Sequence, residues 1–187
     1  MTTEVATGWI AGTWKIDTAH THIGFVIKHM MVSKVRGNFA KFSGEIVTAE
    51  NPLASTATAT MIASTINTGS DMRDGHIASA DFFDSENYPE ITFASTGLRI
   101  EDGDWRLDGT LTIRGITQPV TLDLEAPPAF GPALEGGAFK TGISASTEIN
   151  RHNFGVSYNG PIPGGGVALG DTVQIVLDIE ADLVPVS

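Results

Sequence analysis

Polar and apolar residues alternate with a period of two along most of the chain, and the C-terminal run shows it best. Val173, Ile175, Leu177, Ile179, Ala181 and Leu183 take one face, while Thr172, Gln174, Asp178, Glu180 and Asp182 take the other. Trp105, Leu107, Gly109, Leu111 and Ile113 alternate in the same way with Arg106, Asp108, Thr110, Thr112 and Arg114. Two shorter runs, Val120 to Ala126 and Ile143 to Ile149, repeat the pattern, as do Ile23, Phe25 and Ile27. One dry and one wet face per strand predicts an antiparallel sheet. Glu101-Asp102-Gly103-Asp104 reads as a hairpin turn, and Gly115 to Pro119 as the next link.

Two strands change phase partway. Val35, Gly37 and Phe39 fall on odd positions, then Phe42, Gly44 and Ile46 on even ones; Phe93 and Ser95 give way to Leu98 and Ile100. Such a slip predicts a bulge or bend where a sheet curls. About eight bent strands favour a closed barrel over a two-sheet sandwich, because closure removes exposed edges. Between Ser70 and Asp84 the alternation stops. Ser70 or Asp71 offers an N-cap, and Met72, His76, Ala80 and Phe83 fall at helical spacing. Gly75 limits this to one or two short turns. The Pro- and Gly-rich pieces Ala126 to Gly137 and Gly160 to Gly170 read as loops within one domain of residues 1–187, with a core of about 12–184.

The run Ser55 to Thr68 reads as one strand and bears on function. Ala57, Ala59, Met61 and Ala63 share one face. Turned inward, such a face gives a thin wall, thinned further by Ala145, Gly24, Gly37, Gly44 and Gly109. A barrel of about eight strands is either filled by its side chains or encloses one small ligand. The filled alternative has Phe25, Phe39, Phe42, Phe93 and Phe154 completing a solid core.

Composition narrows the function classes. The 187 residues carry 11 Lys and Arg against 22 Asp and Glu, a net charge of −11, which argues against nucleic-acid binding. Cysteine is absent, so thiolate chemistry is excluded. The N-terminal residues show no basic and apolar leader, so the expected location is cytoplasmic, or periplasmic or extracellular if a leader precedes Met1. No apolar stretch is long enough for a membrane-spanning helix. Gly-x-Ser-x-Gly is absent, and Gly164-Gly165-Gly166 lacks the Lys-Ser/Thr of a phosphate loop. His20 and His22, read on one strand face, have the spacing of two metal ligands but no third partner, so no metal is expected. The segment between Asp17 and Glu45 holds no acid yet contains Lys28, Lys34, Arg36 and Lys41. This basic island suits either a charged, protected sheet edge or a rim that attracts an anionic head group.

Ordered motifs then carry a resemblance. Trp14-Lys15-Ile16-Asp17 with His20, Ile23, Phe25 and His29, followed by Gly37-Asn38-Phe39 and Phe42-Ser43-Gly44, resembles the opening of the YceI-like, lipid-binding family. Arg73-Asp74-Gly75-His76-Ile77-Ala78-Ser79-Ala80-Asp81-Phe82-Phe83-Asp84 is similar to its central motif, and Tyr88 to Ser95 continues it. Gly109 to Val120 and Asn150-Arg151-His152-Asn153-Phe154-Gly155 resemble the third and fourth signatures. The resemblance implies an extended, lipocalin-like, eight-stranded antiparallel β-barrel with a short helical insertion around residues 71–84. It also implies an elongated apolar pocket holding a polyisoprenoid or similar amphiphile, and so favours the hollow reading.

By motif and inward parity the apolar pocket is expected to use Phe25, Phe39, Phe42, Ala59, Met61, Phe82, Phe83, Tyr88, Phe93, Leu111 and Phe154. The polar mouth is expected to use Lys28, Lys34, Arg36, Arg73, His76 and Arg151. Arg73 and Asp74, and likewise Arg151, either fix local structure or meet the head group. The resulting expectation is a carrier or store for an isoprenoid quinone or polyprenyl phosphate, with no catalytic residues and no cofactor beyond the bound lipid. A lipid is the expected partner, and a homodimer is allowed. The rivals are an enzyme using His29, His76 or Asp74 on an isoprenoid, and an interaction module with a filled barrel.

Overall fold

The computed structural model describes residues 8–132, 137–160 and 166–185; the leader reading, Gly164-Gly165 and parts of the two loops lie outside them. One antiparallel sheet contains β1 (Gly12–Ile16), β2 (His22–His29), β3 (Ser33–Phe39), β4 (Phe42–Thr48), β5 (Thr56–Ile62) and β6 (Ile66–Asn67). It continues through β7 (Glu90–Glu101), β8 (Asp104–Ile113), β9 (Ile116–Leu124), β10 (Ala129–Pro132), β11 (Phe139–Asn150) and β12 (Leu169–Leu183). The circuit β11-β9-β8-β7-β5-β4-β1-β12 closes on itself through the β11–β12 ladder, giving an eight-stranded barrel.

The remaining strands are prolongations of that circuit. β2 continues β1 along the same edge of β12, β3 and β6 continue β4 and β5, and β10 continues β9 along β11. The interruption at Ala40-Lys41 lets β3 and β4 present opposite parities inward, and the Ser95/Gly97 irregularity does the same within β7. Both lie where the hydrophobic phase changes in the sequence. Asp102 and Gly103 both have positive φ (54° and 93°), as a tight hairpin turn requires, and Arg114-Gly115 repeats this between β8 and β9 (52° and 71°).

One expectation needs correction. The run Ser55 to Thr68 is not one strand: a 3₁₀ turn at Ala63–Thr65 breaks it, so Ala63 is buried in the turn and Ile66 resumes the inward face. The insertion is as short as Gly75 implies, although Ala80 and Phe83 fall beyond the helix. Helix α1 spans Asp71–Ala78, and the Ser70 side chain makes no capping bond. Met72 is 87% exposed, and no residue of α1 is buried. The backbone N–H of Ser79 bonds the His76 carbonyl and ends the helix, so Phe82 and Phe83 enter the core from the turns that follow.

Candidate functional site

The barrel encloses a cavity of about 450 Å³. Its middle is walled by inward positions of the alternating strands: Ala57 and Ala59 of β5, Val120 and Leu122 of β9, Ala145 of β11, Ile175 and Leu177 of β12. These side chains offer no hydrogen-bonding group. One end is closed by aromatics, with Trp9 stacked on Trp105 at 6.2 Å and edge-on to Phe130 at 5.1 Å, while Phe130 lies 5.4 Å from the fully buried Trp14. The Trp14 indole N–H donates to Thr48 Oγ1 at 2.7 Å, which satisfies its one polar atom.

The arginines of the lining, Arg73 and Arg151, lie at the opposite end, under α1. His76, Phe82 and Tyr158 form a ring cluster with centroids 5.0–5.2 Å apart. Arg73, exposed, donates from Nε to Thr68 Oγ1 (2.7 Å) and from Nη2 to the Thr68 carbonyl (2.8 Å). The Asp74 carboxylate accepts from Thr68 N and Oγ1. Both charges thus hold the loop by hydrogen bonds to Thr68 rather than by ion pairs.

Arg151 is 4% exposed. It donates from Nε to the Gly170 carbonyl (2.9 Å) and from Nη1 to those of Val156 (2.7 Å) and Tyr158 (2.9 Å). Its Nη2 is buried without a hydrogen-bond partner among the described residues, the Asp171 carboxylate lying 3.9 Å away. Burial pulls this guanidinium below its ordinary pKa.

The YceI-like domain family matches residues 14–181. The chain belongs to the YceI-like family. Among its YceI-like relatives, a UPF0312 protein of Staphylococcus aureus (strain MSSA476) is 37% identical over 165 residues, covering 88% of this chain and 94% of that one. The crystal structure of Burkholderia cenocepacia BcnA is similar with a TM-score of 0.72 at 25% identity, covering 88% of this chain and 98% of that one. A polyisoprenoid binding domain from Saccharophagus degradans shares the fold with a TM-score of 0.63 at 15% identity, over 94% of this chain and 100% of that one.

Within this YceI-like barrel, Phe25, Phe39, Ala59, Met61, Phe82, Phe83, Phe93, Leu111 and Phe154 line the cavity, as do Arg73, His76 and Arg151. Phe42 and Tyr88 do not. Phe42 packs against the core from the end of β4, and Tyr88 lies over Gly115 of the β8–β9 hairpin. Lys28, Lys34 and Arg36 sit on the outer face of the β2–β3 hairpin, because they fall between the inward-facing Ile27, Val35 and Gly37. Trp9 and Tyr158, which line the two ends, carry no periodic signal, since both stand outside the strands.

The expected role of the wall glycines also changes. A Cβ at Gly37 would meet the Phe25 ring at 2.6 Å, and one at Gly109 would meet the Phe93 ring at 2.5 Å. These glycines receive a neighbour's ring against the wall, which keeps the ring off the axis; they add no open volume of their own. Gly24 is crowded by His22 and Gly44 by Ile16, so neither widens the cavity.

His20 and His22 do not share a strand face: His20 lies in the turn before β2, and His22 begins that strand. His20 joins Asp17 and Glu180 in a group whose ligand atoms lie within 4.8 Å of one another. Lys140 Nζ already sits among these acids, 3.0 Å from Asp17, 2.7 Å from Glu180 and 2.8 Å from Asp182. The group is thus an ion-pair network tying β11 and β12 to the β1–β2 turn. The His20 hydrogen bond, then the Lys140 ammonium, hold the Asp17 carboxyl well below the usual carboxylate range. Asp17 in return raises His20 above its ordinary 6.5, and Asp182, Glu180 and Asp17 raise Lys140.

Proposed function

We propose that this protein binds an amphiphilic lipid of the polyisoprenoid type, an isoprenoid quinone or a polyprenyl phosphate, and carries or stores it without transforming it. The observation that carries this reading is the cavity itself: about 450 Å³, walled mainly by apolar side chains, with the arginines of its lining, Arg73 and Arg151, at one end. That volume lies within the usual range for a site that takes one small-molecule ligand. The tail lies along the barrel axis between the alanines of β5 and the aliphatic face of β12. Burying a few hundred Å² of tail at ~25 cal/mol per Å² supplies several kcal/mol before the entropy of association is subtracted.

The head group sits beneath α1, where Arg73, His76 and Arg151 line the cavity. The polyisoprenoid binding domain from Saccharophagus degradans supports the ligand class, because the two chains share one fold over nearly their whole length. Asp74 supports binding over proton transfer, since its carboxylate is engaged by Thr68. Mass spectrometry of organic extracts of the purified protein tests the reading. A prenyl lipid at near-stoichiometric yield is expected; protein from several hosts that yields no amphiphile overturns it.

A further inference from the structure

The tip of the β2–β3 hairpin is built differently from the other tight turns of the barrel. Val32 N bonds the His29 carbonyl at 3.1 Å across Met30 and Met31, whose φ angles are 51° and 59°. Paired positive φ values favour Asn-Gly or Asp-Gly, and the turns at Asp102-Gly103 and Arg114-Gly115 place glycine second. Here two methionines adopt this conformation, and their side chains gain no burial in return. Met30, Met31 and Val32 are 46%, 68% and 86% exposed.

Behind this apolar tip stands the basic island. Lys28 lies directly opposite Lys34 in the β2–β3 register, an arrangement that repels, and Arg36 follows on the same outer face. None of the three forms an ion pair among the described residues. They share a surface recess with Met31, Val32 and Ser33. The inner face of the same hairpin carries Ile27, His29 and Val35, which line the cavity. Met30 N also bonds the Ala168 carbonyl (2.8 Å), which ties the tip to the start of β12, where Ala168 and Leu169 reach the cavity as well.

We propose that the Met30-Met31-Val32 tip, collared by Lys28, Lys34 and Arg36, docks this protein onto an anionic lipid bilayer with its cavity beside the membrane. Exposed apolar side chains enter the head-group boundary while cations just behind them meet anionic phosphates. In a chain of net charge −11, the remainder is repelled by the same surface, so the molecule arrives hairpin first. The purpose of docking, lipid loading or release, rests on the carrier reading; the docking geometry does not.

The full chain is sedimented with vesicles of phosphatidylcholine alone and of phosphatidylcholine mixed with phosphatidylglycerol. Sedimentation with the mixed vesicles only, weakened by salt, is expected. Replacement Lys28→Gln/Lys34→Gln/Arg36→Gln is expected to weaken it by roughly a hundredfold. A second variant, Met30→Asn/Met31→Gly, suits the turn better, so it is expected to melt at a higher temperature while binding vesicles less well. No sedimentation, equal sedimentation with neutral vesicles, or unchanged binding by both variants overturns docking, as does a partner protein captured in place of the vesicles. Organic extraction of the same preparations separates the two readings. Lipid-loaded protein that ignores anionic vesicles removes docking alone, whereas sedimenting protein that yields no lipid removes carriage alone.

Discussion

Phe25 and Phe93 occupy the places that Cβ atoms would fill at Gly37 and Gly109, and this contact decides how much of the barrel axis stays free. Gly109→Ala forces the Phe93 ring inward or strains the strand. A loss of about 1–3 kcal/mol in urea unfolding is expected, together with weaker lipid retention. Arg151→Met strips donors from three carbonyls, one buried and two partly buried, so a loss of about 2–4 kcal/mol is expected by the same measurement. The Lys140 network gives a prediction with a sign. Because the Asp17 carboxyl is held low, its contribution is present above the ordinary carboxylate pKa and is lost as pH falls through the depressed value. Lys140→Met should therefore lower Tm by a few degrees at neutral pH, with the gap to wild type closing in acid. His20 has the opposite sign: its contribution is present below 6.5 and is lost as pH rises through its raised value, so His20→Gln should flatten that alkaline limb of the Tm profile. Inward parity picked out Phe25, Phe39 and Phe93, which reach the cavity, but also Phe42, which does not. It could not distinguish a glycine that opens space from one that receives a neighbour's ring, because that depends on cross-strand register.

The strands were legible because one wet and one dry face leave a period-two trace, and the phase changes at Phe39/Phe42 and Ser95/Leu98 fall where the ladder is interrupted. Helix α1 was legible only as an interruption. It buries none of its residues, so no hydrophobic stripe marks its boundaries, and the spacing that linked Met72 to Phe83 spans a helix end. A Cβ at Gly75 would meet nothing within 4 Å. Gly75→Ala should accordingly stabilise the protein by about 0.5–1 kcal/mol, read as a raised Tm without change in lipid content. The short turn at Ala63–Thr65 was hidden by composition, since Ala, Ser and Thr suit a strand as well as a turn.

At the scale of the whole molecule, β12 is the closing element: β11 runs along one edge, and β1 and β2 lie end to end along the other. A strand exposed at neither edge makes the closed barrel a consequence of pairing, and an alternating pattern of this extent pointed to it. Whether the interior is hollow was a different question. The same phenylalanines would fill the centre if they pointed along the radius, and composition is silent on that choice. Closure by aromatics at one end and arginines at the other frames the central claim, that an apolar tail occupies the axis. Replacing Ala59, which faces the cavity between Gly44 and Phe93, with Phe blocks that axis and leaves the surface unaltered. Mass spectrometry of extracts from wild type and Ala59→Phe, both confirmed folded, is the most direct test. A prenyl lipid in the wild type and its loss from the variant is the predicted result; the same lipid yield from both, or none from either, would contradict the claim.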